Sequence, residues 1–139
     1  NQDVGPVSYF IGVNGDLWAH GSNGATCGDG NSAALGDGTC TASDDPVQVK
    51  VVSKVRDVTS TWGSSWAITD NGDLYQWGTC NGFGEKANIP KKIESGTVRK
   101  IYAAPSGYLM VVKKDGIIWG KSVSPTGNSN DFIQIQGIK

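Results

Sequence analysis

Three observations predict an all-β chain assembled from repeated antiparallel sheets. Glycine makes up 20 of 139 residues, roughly twice the ordinary share of about 7%, which favours turns over helices. No stretch keeps apolar residues at i, i+3, i+4 and i+7 for three turns, because Gly or Pro interrupts every candidate window. One pattern also occurs three times: residues 8–21 read SYFIGVNGDLWAHG, 65–78 read SWAITDNGDLYQWG, and 108–122 read YLMVVKKDGIIWGKS. Self-similarity of this kind marks a repeat architecture.

Each copy reads as a hairpin. An alternating strand runs into Asn14-Gly15, Asn71-Gly72 or Asp115-Gly116, dipeptides that tolerate the positive φ angles of a type I′ turn, which is the turn expected here. A strand carrying Trp18, Tyr75 or Trp119 follows. The turns lie 57 and 44 residues apart (71 − 14 and 115 − 71), a spacing that suits four-stranded propeller blades. Pro46-Val47-Gln48-Val49 and Val55-Arg56-Asp57-Val58 precede the second hairpin, as Pro90-Lys91-Lys92-Ile93 and Val98-Arg99-Lys100-Ile101 precede the third. The expected organisation is therefore one domain over 1–139: a half blade at 7–21, a loop at 22–45, blades at 46–78 and 90–121, and a C-terminal half-blade strand at 131–136. Three blade equivalents are too few to close a ring of 4–8 sheets. Closure by further copies, a longer parent chain, or a compact three-sheet unit are the alternatives, and unpaired sheet edges favour assembly into a homo-oligomer.

The motifs Asn14-Gly-Asp-Leu-Trp18, Gly21-Ser-Asn23-Gly24, Leu35-Gly-Asp-Gly-Thr39 and Asp45-Pro-Val-Gln-Val49 resemble the repeat of the regulator of chromosome condensation family. The resemblance covers nearly the whole chain and is weakest over 1–6 and 122–130. It departs at an insertion over 26–34 and at Cys80, which stands where the family repeat has Asn. The resemblance implies a seven-bladed propeller of which this chain has less than half, and a scaffold for macromolecular recognition. Members of the family include exchange factors for a small GTPase and a bacterial inhibitor of β-lactamases.

Composition narrows the partners. Twelve basic and thirteen acidic residues give a net charge of −1 and a pI near 5.7, without the basic excess of a nucleic-acid or anionic-membrane binder. No apolar run approaches the ~20 residues of a membrane span, and a mean hydropathy of −0.28 fits a folded chain inserted in no membrane. Starting at Asn1 without a leader pattern, the chain reads as a processed or excised one.

Catalytic candidates are few. His20 aligns with Trp77 in the repeat and so fills an aromatic structural slot, and the carboxylates next to Gly are what turns require. The expectation is a protein with no enzymatic activity. Asp29, Asn31 and Asp37 are hard oxygen donors on a flexible loop and make a weak calcium site; no other cofactor is expected. Cys27 and Cys40 either close that loop as a disulfide, stabilising it by about 3 kcal/mol in the chain-entropy model, or are small buried thiols alongside Cys80. Trp62, Trp66, Phe83 and Tyr108 fall at loop or strand-entry positions, where aromatics beside Gly and Ser make a recognition surface. The functional expectation is an extracellular or cell- or virion-surface adhesion module for a protein or glycan receptor. The alternatives are a filament subunit joined by strand exchange, and an inhibitor-like or exchange-factor-like fragment of a longer propeller.

Overall fold

A computed structural model describes residues 7–21, 35–38, 43–61, 64–78, 87–104, 108–122 and 133–135. None of these residues is helical, and no helix among them is long and apolar enough to cross a membrane. The strands are β1 (Val7–Ile11), β2 (Leu17–Gly21), β3 (Ser43–Gln48), β4 (Val55–Thr61), β5 (Ser64–Thr69), β6 (Leu74–Gly78), β7 (Ala87–Glu94), β8 (Val98–Ala104), β9 (Tyr108–Lys113), β10 (Ile118–Ser122) and β11 (Ile133–Gln134). They form three antiparallel sheets, ordered β1-β2-β3, β4-β5-β6-β7 and β11-β10-β9-β8.

The strand pairing corrects the expected division into blades. Residues 46–48 lie in β3 and pair with the first hairpin, Trp18 opposite Gln48 and Ala19 opposite Val47, with the Val49 N–H donating to the Leu17 carbonyl at 2.9 Å. They close the first sheet; they do not lead into the second. Likewise Pro90–Ile93 lie in β7, the outer strand of the second sheet. Proline explains the placement: it cannot donate to a ladder and is confined to sheet edges, and β3 and β7 are both edges. β11, within the expected half-blade strand at 131–136, pairs with β10 of the third sheet, Trp119 opposite Gln134. Among the described residues the first sheet has no inner strand equivalent to β4 or β8.

The hairpin turns also differ from expectation. Gly15, Gly72 and Gly116 take φ of 88°, 94° and 87°, but Asn14, Asn71 and Asp115 are not among the residues of positive φ. A type I′ turn needs positive φ at both central positions; a single left-handed Gly after a type I turn makes a G1 bulge. The hydrogen bonds repeat accordingly. Gly15 N–H donates to the Gly12 carbonyl, Gly72 to Thr69 and Gly116 to Lys113, at 2.9, 3.0 and 2.9 Å.

Two cores share the middle sheet. Leu17, Ala19, Leu35, Val49 and Val52 of the first unit pack on Val55, Ala67 and Trp77 of the second. On the other face, Trp66, Ile68 and Leu74 pack on Val98, Ile101, Leu109 and Val111. Tyr9 joins the first interface, its ring edge-on to Trp77 at 5.8 Å and 83° and its hydroxyl 2.6 Å from the Ser65 Oγ. Burial pushes its phenol above the ordinary value, against the smaller opposing effect of the Ser65 and Trp77 hydrogen bonds. The inner strands carry equivalent bulges: Arg56 is the extra residue between the Val55 and Asp57 pairs, and Arg99 the extra one between Val98 and Lys100. A bulge re-aims its side chain, and here the Arg56 guanidinium donates to the Arg99 carbonyl of the next sheet.

Candidate recognition face at the hairpin-turn end

Adjacent sheets meet most closely at the hairpin turns. The Gly15 carbonyl accepts from Val55 N–H at 2.9 Å, and the Gly72 carbonyl from Val98 N–H at 3.0 Å, so each turn receives the first residue of the next inner strand. The segment before each inner strand is held from its own sheet as well: Asp70 N–H donates to the Lys54 carbonyl, and Lys114 N–H to that of Thr97, both at 2.9 Å. Gly is required at the first two turns for space as well as φ. A Cβ at Gly15 would sit 2.8 Å from Lys54 Cα, and one at Gly72 3.0 Å from the Gly96 carbonyl carbon.

This docking leaves two open clefts in equivalent positions. The first, about 420 Å³, lies between Lys54 and the turn residues Thr69, Asp70, Asn71 and Asp73, with Tyr75 in its wall. The second, about 390 Å³, lies between Gly96-Thr97 and Lys113, Lys114 and Asp115, with Trp119 in its wall. One repeat step therefore replaces Thr69, Asp70 and Asp73 by Lys113, Lys114 and Ile117.

Charge is handled differently in the two clefts. Burial alone would raise the Asp73 carboxyl, but the Lys92 ammonium at 3.1 Å and the Gly96 N–H at 2.8 Å outweigh it and hold the group below the ordinary carboxylate range. The same hydrogen bond to Asp73, with the charge attraction, holds Lys92 in its charged form to higher pH, and Lys92 lies 5.7 Å from the Tyr75 ring centroid. In the second cleft Lys113 pairs with Glu94 at 2.9 Å and lies 5.2 Å from the Trp119 ring centroid. Burial again acts upward on Glu94, and Lys113 with the Thr97 hydroxyl overcomes it, so the carboxyl is lowered. Lys114 donates to the neutral Asn71 carbonyl at 2.9 Å. The indole Nε1 of Trp119 is buried and has no hydrogen-bond acceptor.

Among the described residues no three His, Cys, Asp or Glu side chains are grouped to hold a metal ion. His20 is half-buried, its ring 6.4 Å from that of Phe10. Asp37 is half-exposed, while Asp29, Asn31, Cys27, Cys40 and Cys80 lie outside the described residues, and the calcium and disulfide expectations with them. Of the expected recognition aromatics, Trp66 is a correction: it is 0% exposed, sits within β5 and donates its Nε1 to the Gln76 Oε1 at 2.9 Å. It has no surface to offer a partner. Tyr108 opens β9 opposite Ser122 and Ala104, with its side chain outside the described set; Trp62 and Phe83 are outside it entirely. The cleft residues Lys54, Asp70, Lys113 and Lys114 were not singled out as a site, and overlaying the three turn sequences is the signal that finds them.

No protein-family model matches the sequence, and no curated protein matches it significantly. Solved structures do. Human WBSCR16 superposes with a TM-score of 0.69 at 17% identity, over 94% of this chain and 35% of that one. Prp20p from Saccharomyces cerevisiae, in a structure described with its binding properties to Gsp1p and histones, gives 0.69 at 16% identity over 95% and 37%. Yeast RCC1 (Prp20) with Kap60 bound gives 0.62 at 19% identity over 84% and 27%. The chain thus spans about a third of the length of the first of these structures. Its three sheets share the fold of consecutive blades in these β-propeller structures, too few to close a ring.

Proposed function

We propose that this chain is a non-enzymatic recognition module that binds a protein partner through the turn-end face of its propeller blades. The observation that carries the reading is the pair of equivalent open clefts, built on a rigid inter-blade backbone lock and differing in side-chain charge. A fixed scaffold with variable polar positions at its rim is how loops gain specificity without loss of fold. A protein of the same fold, Prp20, has Kap60 bound in one structure and is described with its binding properties to Gsp1p and histones in another, which supports a protein over a glycan receptor. The finer reading is adhesion at a cell or virion surface, a setting that a near-neutral chain with a Cys27–Cys40 pair would suit.

The test is an interaction screen with the immobilised chain against purified secreted and cell-surface proteins and a glycan array. Saturable protein binding, weakened by Lys54→Glu or Asp70→Lys with an unchanged unfolding midpoint, is the expected result. Binding to glycans alone, or protein binding indifferent to both substitutions, refutes it. Light scattering on the same samples reports whether copies associate; a stable monomer of 14.6 kDa excludes ring closure by homo-oligomers.

A further inference from the structure

The two clefts have the same backbone and different charges, with Lys54, Asp70 and Asp73 lining the first and Lys113, Lys114 and Asp115 the second. In the first, the turn contributes its own carboxylate, Asp73, which takes up the Lys92 ammonium and the Gly96 N–H. In the second, Ile117 stands at the position of Asp73, and two ammonium groups stand at the positions of Thr69 and Asp70. Glu94 neutralises one of them, Lys113. The other, Lys114, donates to the neutral Asn71 carbonyl and forms no ion pair among the described residues; Asp115, in the same cleft, is turned to its own backbone and accepts from the Ile117 N–H at 2.9 Å. The cleft wall also carries the Trp119 N–H, buried and without an acceptor. Most buried donors are paired, and an unpaired one needs an explanation. The equivalent aromatic in the first cleft, Tyr75, has the Lys92–Asp73 pair beside it.

We infer that the cleft at the turn end of the third blade, beside the Gly96-Thr97 segment, binds a carboxylate presented by an Asp or Glu side chain of the partner protein. The carboxylate accepts from the Lys114 ammonium and, when the side chains that bury the indole N–H move aside, from the Trp119 N–H. It supplies from outside the charge that Asp73 supplies within the first cleft. Lysine donates as a point charge and the indole N–H as a directed donor, so together they fix both attraction and orientation. This inference rests on the protein-recognition reading above and names what the partner brings to it.

The experiment uses the whole 15N-labelled chain and three probes: capped hexaglutamate, capped hexalysine, and propionate. Hexaglutamate should move the Trp119 indole N–H resonance and the Lys114 amide saturably at or below about 10 mM, and Lys114→Glu should weaken this at least about tenfold. Trp119→Phe, which keeps an aromatic ring but removes the pyrrole half of the indole with its N–H, should weaken the Lys114 amide response while leaving the rest of the spectrum in place. No movement with hexaglutamate, an equal response in Lys114→Glu, or an equal response to hexalysine overturns the carboxylate site. Saturation by propionate as tight as by the peptide overturns its assignment to a protein side chain. A cleft that binds hexaglutamate when the partner screen finds nothing separates failure of the wider reading from failure of this one.

Discussion

The glycine at each hairpin turn makes a graded prediction, because the three sites share a conformation and differ in surroundings. At φ near +90°, any Cβ costs about 1–2 kcal/mol, so Gly15→Ala, Gly72→Ala and Gly116→Ala begin from the same penalty. At Gly15 the new carbon would also lie 2.8 Å from Lys54 Cα and 3.2 Å from Lys54 N, backbone atoms fixed by the bond that the Gly15 carbonyl accepts from Val55. Overpacking of this kind adds about 1–3 kcal/mol, giving about 2–5 kcal/mol in all. At Gly72 one close contact is the Gly96 carbonyl carbon at 3.0 Å and the others are the flexible end of Lys114, so its cost falls between. At Gly116 nothing lies within 4 Å and the conformational penalty stands alone. Thermal and urea unfolding should therefore rank Gly15→Ala as most destabilising, then Gly72→Ala, then Gly116→Ala. With about 4 °C per kcal/mol for a chain of this size, the extremes should differ by several degrees in Tm. Equal losses at Gly15 and Gly116 would refute the idea that the first two turns are docking points between blades and the third an open one.

Three further outcomes follow from the interfaces. Trp66→Phe keeps most of the packing but removes the bond to the half-buried Gln76 Oε1, and should cost about 0.5–1.5 kcal/mol in urea unfolding; the double change with Gln76→Leu should recover part of it. Arg56→Ala removes the exposed guanidinium bond to the Arg99 carbonyl and should cost about 0.5–1.5 kcal/mol, whereas Arg99→Ala, with no such bond among the described residues, should cost less. The pH limits are set by different groups. Tyr9 stays protonated in the folded chain after its unfolded counterpart ionises near pH 10, so its contribution is present below that pH and lost above it, and Tyr9→Phe should flatten the alkaline limb. Asp73 and Glu94 are lowered, so their contribution is present above about pH 4 and lost as the pH falls through their folded values; Asp73→Asn with Glu94→Gln should flatten the acid limb.

Much of this architecture is legible in the residues, and what is not has physical causes. The hairpins were legible because Asn-Gly and Asp-Gly demand a left-handed residue, but the same dipeptides serve both a type I′ turn and a type I turn with a G1 bulge, and only φ at Asn14, Asn71 and Asp115 separates them. The blade boundaries were displaced by one strand because the first break falls over Val49–Lys54, where Val51 and Lys54 adopt positive φ without being Gly. No sequence signal marks that turn, whereas the next one carries Gly96 at φ 74°. Pro46 and Pro90 were the residues that could have placed their strands at an outer edge. Trp66 was misjudged because β5 is buried on both faces, Ser65 through Thr69 consecutively, so the alternation that separates a core face from a solvent face is missing.

That double burial also explains why recognition chemistry can vary along this scaffold. Each interface between blades is a complete core of its own, and in stacked repeats stability is close to a sum of nearest-neighbour terms. The residues that make those terms are β-strand side chains at fixed registers, together with the turn carbonyls and glycines. The turn positions facing the clefts take no part in either core, so Thr69, Asp70 and Asp73 in one blade can become Lys113, Lys114 and Ile117 in the next while the docking bonds stay within 0.1 Å of each other, 2.9 Å at Gly15 and 3.0 Å at Gly72. Lys114→Glu should therefore leave the unfolding midpoint nearly unchanged, and a large loss of stability would show instead that the Lys114 side chain, through its bond to the Asn71 carbonyl, is part of the docking between blades.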